Sequence, residues 1–344
     1  MLQHQFTDLK SGLPIIQVPM PSVESLTILV LVNTGSRYEK PKSYGIAHFF
    51  EHIISKGTAA YPTAKDIAVA IDSVGASFNA YTSREYTGYY FTAAAKHLEL
   101  GLDLLSDMLL KPKLRQKDIE LEKQVIIEEI NLYADTPQHH IANIFDQMMF
   151  KSSGLGHDIT GTPRSVNSLT TADLKAFIRQ WYGLGNMVVV LAGQDKIVKS
   201  KKTLDLVEKM FAKKIGVRPK DKISLKRFTS KNPIAPKRLQ VVFRRTKQAH
   251  FVLGWPAPER EDERRYALVL LSVILGGNIS SRLFQAVREQ RGLCYYINSE
   301  LDQYHDAGVL GASAGVDPER VKEALKVTVG EFNELASGNK PITD

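Results

Sequence analysis

The stretch His48-Phe49-Phe50-Glu51-His52 places two imidazoles and one carboxylate at spacings that suit metal chemistry. On an α-helix, residues four apart lie one above the other, and a residue three along is their neighbour. His48 and His52 can therefore reach one metal ion, and Glu51 can reach a water molecule beside it. Two histidines with a carboxylate base are the minimal set for hydrolysis at zinc. The alternative is a core helix with two unrelated histidines.

The flanking residues favour a helix over this stretch. Apolar side chains recur at spacings of three and four, as on a buried helical face: Ile46, Phe49, Phe50, Ile53 and Ile54. Gly57 is a typical stop signal just past the last apolar turn.

A third metal ligand must come from elsewhere, because catalytic zinc usually has three protein ligands. Residues 120–130 predict a long charged helix. Glu122 and Glu129 are two turns apart and share a face, whereas Glu128 points about a third of a turn away. Spacing alone leaves Glu122, Glu128 and Glu129 as candidates, and such a helix can also be a purely solvated face.

The pentad together with Glu129 resembles the inverted zinc motif of the insulinase and pitrilysin metallopeptidases. This family, M16, includes mitochondrial processing peptidase, and the chain resembles its small bacterial members. There a glutamate follows the second histidine at a long interval, and the 76 residues from 53 to 128 bring it to Glu129. A second family glutamate matches Glu122 and supports the site without binding metal. Further matching stretches lie at residues 34–39, 56–58 and 79–82, and the resemblance runs over nearly the whole chain.

The resemblance implies a zinc endopeptidase with one Zn²⁺ per chain, held by His48, His52 and Glu129, with Glu51 as general base. Its substrates would be peptides or unfolded polypeptide segments, cleaved inside a chamber. In residues 288–295, Arg288 and Tyr295 match family positions that face the zinc site. A tyrosine hydroxyl can donate to an oxyanion, and an arginine can hold a carbonyl. Without the resemblance, these two residues indicate a surface charge and a strand aromatic.

Asn79 and Ala80 follow a Gly-Ala-Ser-Phe stretch and are predicted to lie in an edge strand near the metal. An open edge can bind an extended peptide by strand addition, and Asn79 can hydrogen-bond a substrate carbonyl. The alternative for Asn79 is a turn-forming role.

Length and charge predict two domains and a linker. A chain of 344 residues exceeds the size at which single cores stop growing. Residues 196–247 carry a local excess of +15, against +8 for the whole chain. We therefore predict a catalytic domain at 1–215, a basic linker at 216–236 and a second domain at 237–344. Nucleic-acid binding by the basic segment is not favoured, because Phe228 is its one aromatic residue between Phe211 and Phe243.

The two halves are related by an internal repeat. In residues 91–99 and 310–319, a strand of small residues runs into an amphipathic helix at an offset of about 220. Gly57 and Gly276 end apolar helices at nearly the same offset. The second copy reads Ala267-Leu268-Val269-Leu270-Leu271-Ser272 where the first has its zinc residues, so it should bind no metal. The predicted class is α+β, with two similar domains of antiparallel-rich sheet and helices; the resemblance adds a half clam shell.

The predicted elements follow from hydrophobic periodicity. The strands are Ile15–Val18, Leu26–Val32, Tyr89–Ala94, Met187–Ala192, Leu239–Phe243, His250–Leu253, Tyr295–Glu300 and Val309–Ala314. The helices include Thr63–Val74, Leu98–Leu110, Gln116–Tyr133, Gln138–Phe150, Thr171–Trp181, Glu263–Leu275, Arg282–Glu289 and Pro318–Leu335.

Composition bears on compartment and partners. No apolar run approaches the roughly 20 residues of a membrane span, and the first residues do not resemble a signal peptide. A single cysteine, Cys294, suits a reducing compartment, so we expect a cytoplasmic protein. The resemblance implies a homodimer or a heterodimer with a related chain. The resembled proteins usually continue for about one or two more helices, so we expect either a truncated chain or a short member. The alternative function is a catalytic or peptide-binding subunit that is active only with a partner chain.

Overall fold

The computed structural model describes residues 4–151, 153–211 and 239–342, which form two compact units. Of these residues, 4–131 and 157–211 belong to the first unit, and the remainder belong to the second. The predicted first domain of residues 1–215 thus contributes Leu132–Gly156 to the second compact unit. The predicted linker at 216–236 lies outside the described residues, and the boundaries at 215 and 237 stay a prediction.

The described residues contain nine strands and eleven α-helices. The strands are β1 Gln5–Asp8, β2 Pro14–Met20, β3 Ser25–Val32, β4 Ser77–Thr82, β5 Thr87–Ala94, β6 Met187–Gln194, β7 Ala249–Ala257, β8 Cys294–Gln303 and β9 Gly308–Val316. The helices are α1 Ile46–Ile53, α2 Ala64–Asp72, α3 Leu98–Leu110, α4 Gln116–Asp135, α5 Pro137–Met149, α6 Pro163–Ser168, α7 Thr171–Trp181, α8 Asp195–Val198, α9 Lys201–Phe211, α10 Arg265–Gly276 and α11 Val321–Ser337. A π-helix spans Phe284–Glu289.

The first unit is built on a six-stranded sheet in the order β1-β2-β6-β3-β5-β4. The β2–β6 pair is parallel and the other neighbouring pairs are antiparallel. In β3, alternate residues are buried, because successive side chains of a strand point to opposite faces. Leu26, Ile28, Val30 and Val32 share a core with α1 and α3. Strand β4 is an edge of this sheet.

The second unit holds a three-stranded antiparallel sheet in the order β7-β9-β8. Three strands of the first unit have the same order, β3-β5-β4. In both units, the chain forms a helix after the strand of the three that comes first in the sequence and another after the strand that comes third. Small residues of β9, Ala312 and Ala314, are fully buried in its core. The predicted α+β class is confirmed, and the shared order supports the internal repeat that the sequence indicates.

One predicted strand is wrong. Residues 239–244 form no strand, and the side chains of Leu239, Val241 and Phe243 are 75%, 79% and 92% exposed. A strand depends on hydrogen bonds to a neighbouring strand, and apolar alternation cannot show whether a neighbour is within reach. The other predicted strands and helices are confirmed, with ends shifted by a few residues and with Arg282–Glu289 largely π-helical.

No helix within the described parts of the chain is both long enough and apolar enough to cross a membrane.

The chain enters α1 through a backbone conformation that favours glycine. Gly45 precedes the helix with a φ of +89°, in the left-handed region that side chains disfavour. A Cβ added there would collide with the carbonyl group of Thr160, because the two backbone segments approach closely. Gly45 therefore sets the direction in which α1 leaves its preceding loop.

We predict that Gly45→Ala lowers the free energy of unfolding by about 2 kcal/mol or more, from left-handed strain together with the collision. Gly185→Ala is the matched control, because an added Cβ there meets nothing within 4 Å. Chemical denaturation followed by circular dichroism measures both variants. Equal stability of the two variants would contradict this explanation of the α1 entry.

Candidate metal centre

Helix α1 directs one face into the core and another toward α4. Phe49, Phe50 and Ile53 are fully buried in the first core. His48 is buried, whereas Glu51 and His52 are partly exposed. The imidazole rings of His48 and His52 have centroids 4.5 Å apart, as residues four apart on a helix should.

Glu129 of α4 meets both histidines. Its Oε2 lies 3.6 Å from Nε2 of His48 and 3.5 Å from Nε2 of His52. Within the described residues, these three side chains form the one group of potential metal ligands whose ligand atoms all lie within 4.8 Å of one another. Glu128 is exposed on the same helix.

The spacing of these atoms fits a metal ion better than direct hydrogen bonds. Normal hydrogen bonds to nitrogen span about 2.7–3.2 Å, so separations of 3.5 and 3.6 Å are long for such bonds. Ligand atoms at about 2.0–2.1 Å from a tetrahedral zinc ion lie about 3.4 Å from each other. Two imidazoles and one carboxylate are also a known zinc donor set.

His48 is prepared to act as a neutral ligand. Burial lowers the pKa of His48 to about 3, so the ring is uncharged at neutral pH. Its Nδ1 is buried and has no hydrogen-bond partner among the described residues. Nε2, the nitrogen that faces Glu129, therefore carries the polar interactions of the ring.

Glu122 orients His52 from the opposite side of the ring. Its Oε1 lies 2.9 Å from Nδ1 of His52, and its Oε2 lies 2.6 Å from Nζ of Lys56. Burial raises the pKa of Glu122, but the contacts with His52 and Lys56 outweigh it and lower the pKa overall. Burial is the largest single effect on the pKa of His52 and lowers it, but the bond to Glu122 and the negative charges of Glu129, Glu122 and Glu51 together raise it overall. A carboxylate behind a ligating histidine is the usual means of fixing the orientation of its ring.

Glu51 lies between His52 and the end of β4. The hydroxyl group of Thr82 donates to Oε2 of Glu51 over 2.5 Å. Burial raises the pKa of Glu51, and this increase is opposed by the bond from Thr82 and by the charge of His52. A carboxylate with a raised pKa is a stronger base than an exposed glutamate.

Glu39 fixes the N-terminus of α1, which has no side-chain cap of its own. Its carboxylate accepts hydrogen bonds from the backbone N–H groups of Gly45 (2.7 Å) and Ala47 (2.9 Å). Nε2 of His157 lies 3.3 Å from the same carboxylate. Unpaired N–H groups at a helix N-terminus favour an anion, so Glu39 holds the helix that carries the three candidate site residues.

The predicted substrate residues Asn79 and Ala80 lie in β4 at the edge of the sheet, as predicted. Asn79 is exposed, and its Oδ1 accepts a hydrogen bond from the backbone N–H of Ala80 over 2.9 Å. The Asn79 side chain therefore already accepts the backbone hydrogen bond that Ala80 could donate to another strand.

Arg288 and Tyr295 lie together in the second unit, whereas the histidine–glutamate cluster lies in the first. The guanidinium group of Arg288 lies 4.7 Å from the centroid of the Phe284 ring and 5.4 Å from that of Tyr295. Tyr295 is 76% exposed.

Sequence reasoning assigned no role to Glu39, Lys56 or Thr82, although all three lie in stretches that resemble the family. Lys56 is one turn beyond His52, and this spacing was a usable signal. Thr82 is 31 residues from Glu51, and only the folded sheet brings it there. Glu39 acts on a helix that begins seven residues later, through a loop whose course the sequence does not define.

Comparison with known families covers both halves of the chain. The model described as insulinase, peptidase family M16, matches residues 16–163, and the peptidase M16 inactive domain matches residues 168–343. The chain belongs to peptidase family M16. The inactive-domain match lies on the half in which the sequence predicts no metal ligands.

Relatives of this M16 chain support the same assignment. It is 37% identical over 331 residues to an uncharacterized zinc protease of Streptomyces coelicolor, covering 96% of this chain and 71% of that protein. It is 33% identical over 330 residues to an uncharacterized zinc protease of Bacillus subtilis, covering 94% and 76%. A crystal structure of a protease from Helicobacter pylori matches with a TM-score of 0.91 at 25% identity, over 100% of this chain and 82% of that one.

A second structure supports the fold alone. The peptidase M16 inactive domain from Pseudomonas fluorescens matches with a TM-score of 0.87 at 19% identity, over 99% of this chain and 81% of that one.

Proposed function

We propose that this protein is a zinc-dependent endopeptidase that hydrolyses peptides or unfolded polypeptide segments. His48, His52 and Glu129 would hold the zinc ion. The observation that carries the proposal is the triangle formed by Nε2 of His48, Nε2 of His52 and Oε2 of Glu129. Oε2 lies 3.6 Å from the first nitrogen and 3.5 Å from the second. The names of the relatives support zinc, because several are called zinc proteases.

Zinc at this site would polarise the scissile carbonyl group and lower the pKa of the attacking water. Glu51 removes a proton from that water as its oxygen attacks the carbonyl carbon. The same carboxyl group then passes the proton to the leaving amine as the C–N bond breaks. The raised pKa of Glu51 suits both transfers. The carboxylate then accepts a proton from water more readily, and the carboxylic acid keeps that proton until it is donated to the leaving amine.

Glu122 supports the centre without joining it. Its contact with Nδ1 of His52 fixes the ring so that Nε2 lies on the side of Glu129. Lys56 holds the second oxygen of Glu122 and balances its charge in a buried place. Loss of such an indirect contact usually weakens metal binding by about 10- to 100-fold.

Substrate binding is proposed at the edge of β4. Asn79 and Ala80 would pair with an extended peptide, and main-chain hydrogen bonds give tolerance of many side chains. Displacement of Asn79 Oδ1 would free the Ala80 N–H for a substrate carbonyl. The implied roles of Arg288 and Tyr295, contacts to the substrate carbonyl and its oxyanion, stay predictions, as does cleavage within a chamber.

The second candidate is a subunit that needs a related chain, or a second copy, for activity. The model that matches residues 168–343 is described as the peptidase M16 inactive domain, the kind of part that would act together with a metal-bearing one. Sizing chromatography combined with a mixed peptide library, with and without chelator, separates the candidates. Chelator-sensitive cleavage by the isolated chain supports the enzyme; cleavage only after addition of a related chain supports the subunit.

We predict that Glu129→Gln lowers zinc affinity by more than about 100-fold, because it removes the charged ligand of the cluster. Glu128→Gln is the matched control on the same helix, where the side chain is exposed. Elemental analysis after mild chelation measures retained zinc. Full zinc retention in Glu129→Gln would move the third ligand to another residue.

We predict that Glu51→Gln retains zinc and loses at least about 100-fold in kcat, because glutamine cannot accept a proton from water. The amide oxygen can still accept the hydrogen bond from Thr82, so folding should be preserved. Peptide cleavage and zinc content are measured on the same sample. Cleavage at the wild-type rate would show that Glu51 is not the base.

A further inference from the structure

Thr82 is the last residue of β4, and its hydroxyl group donates to one oxygen of Glu51. We propose that Thr82 is a positioning residue that holds the carboxylate plane of Glu51, with one oxygen bound by Thr82 and the other free to act as the base. This inference rests on the proposed function of Glu51. It assigns a role in the reaction to a residue of the strand that forms the edge of the sheet.

The last side-chain torsion of a glutamate has broad and shallow preferences, so the plane of its carboxylate can rotate. The 2.5 Å bond from Thr82 to Oε2 restrains that rotation. Hydrogen bonds to a charged acceptor are about twice as strong as neutral ones. Oε1 receives no hydrogen bond from the described residues, so it is the oxygen available to an attacking water.

The strand end that carries Thr82 is held by the turn that follows it. The backbone N–H of Ser83 donates to the carbonyl of Tyr86 over 2.8 Å, and the Ser83 hydroxyl accepts from the N–H groups of Glu85 and Tyr86. This turn defines where β4 ends and β5 begins. It therefore fixes the Thr82 backbone relative to the sheet.

One short segment, Gly35–Glu39, fastens that turn. The N–H of Ser36 donates to the carbonyl of Ser83 over 3.2 Å, and the N–H of Arg37 donates to that of Arg84 over 2.9 Å. Gly35 permits the approach, because an added Cβ would collide with the carbonyl of Ser83. Arg37 also forms a buried ion pair with Glu85.

The same segment fastens the helix that carries Glu51. Glu39, at its end, accepts the N–H groups of Gly45 and Ala47 at the start of α1. The turn that follows Thr82 and the first turn of α1, which precedes Glu51, are thus both hydrogen-bonded to the segment Gly35–Glu39. The same short segment therefore positions both the Thr82 hydroxyl and the Glu51 carboxylate. The hydrogen bond between them does not depend on two loops that move separately.

The test uses zinc-loaded protein of the full 344-residue chain and a fluorogenic peptide. Thr82→Val removes the hydroxyl and keeps the shape of the side chain; we expect kcat to fall about 10- to 100-fold with KM and zinc content unchanged, since small misplacements of a catalytic group cost rates of this order. Thr82→Ser restores the hydroxyl and should bring kcat back to within about 3-fold of wild type. Thr82→Ala is the second variant without the hydroxyl and should match Thr82→Val.

Thr92→Val is the matched control, because the Thr92 hydroxyl on β5 bonds to Thr27 and not to Glu51. Its kcat should equal that of wild type. The proposal is overturned if Thr82→Val and Thr82→Ala keep the wild-type kcat. It is also overturned if Thr82→Ser loses as much kcat as Thr82→Val and Thr82→Ala do. Loss of zinc from Thr82→Val and Thr82→Ala in proportion to their loss of activity would overturn it as well. Glu51→Gln in the same assay separates the two claims, since retained turnover there refutes the general base itself.

Discussion

The contact between α1 and α4 brings two imidazoles against two carboxylates in a partly buried place, and the proposed chemistry depends on how these groups are balanced. The negative charge of Glu122 is balanced by its contacts with His52 and Lys56. Glu129 faces two Nε2 atoms at separations longer than normal hydrogen bonds, and His48 is neutral because burial lowers the pKa of its ring. A divalent cation among these three atoms would supply the missing positive charge and bring each ligand into bonding distance. The metal would therefore complete an arrangement that the packing of two helices has already formed.

The remaining structure of the first unit holds these two helices in place. Phe49, Phe50 and Ile53 anchor α1 in the core, while Gly45 and Glu39 define where the helix begins. The segment Gly35–Glu39 reaches the β4–β5 turn as well, so helix and sheet edge share one support. Catalytic groups need rigid supports because errors of about 1 Å are costly. Neither Gly35 nor Gly45 has room for a Cβ, because the carbonyl groups of Ser83 and Thr160 approach them closely.

Much of this centre could be predicted from local spacing. His48, Glu51 and His52 follow from helical periodicity, and the α+β class follows from alternating strand and helix patterns. Glu129 was only one of three candidates until the resemblance to a family selected it, because spacing along one helix cannot show which face meets another helix. Thr82 could not be found this way, since its contact with Glu51 depends on sheet register. The wrong strand at Leu239–Phe243 has the same origin: an apolar pattern reports a preference for burial, but pairing requires a neighbour that the local sequence does not name.

The proposed chemistry depends on the binding of one zinc ion by His48, His52 and Glu129. Anomalous diffraction at the zinc edge, on crystals of the chain grown with zinc, tests it most directly. We expect a peak about 2.0–2.1 Å from Nε2 of both histidines and about 2.0–2.2 Å from an oxygen of Glu129. A zinc peak held by other residues, or a peak at the histidines with Glu129 turned away, would contradict it.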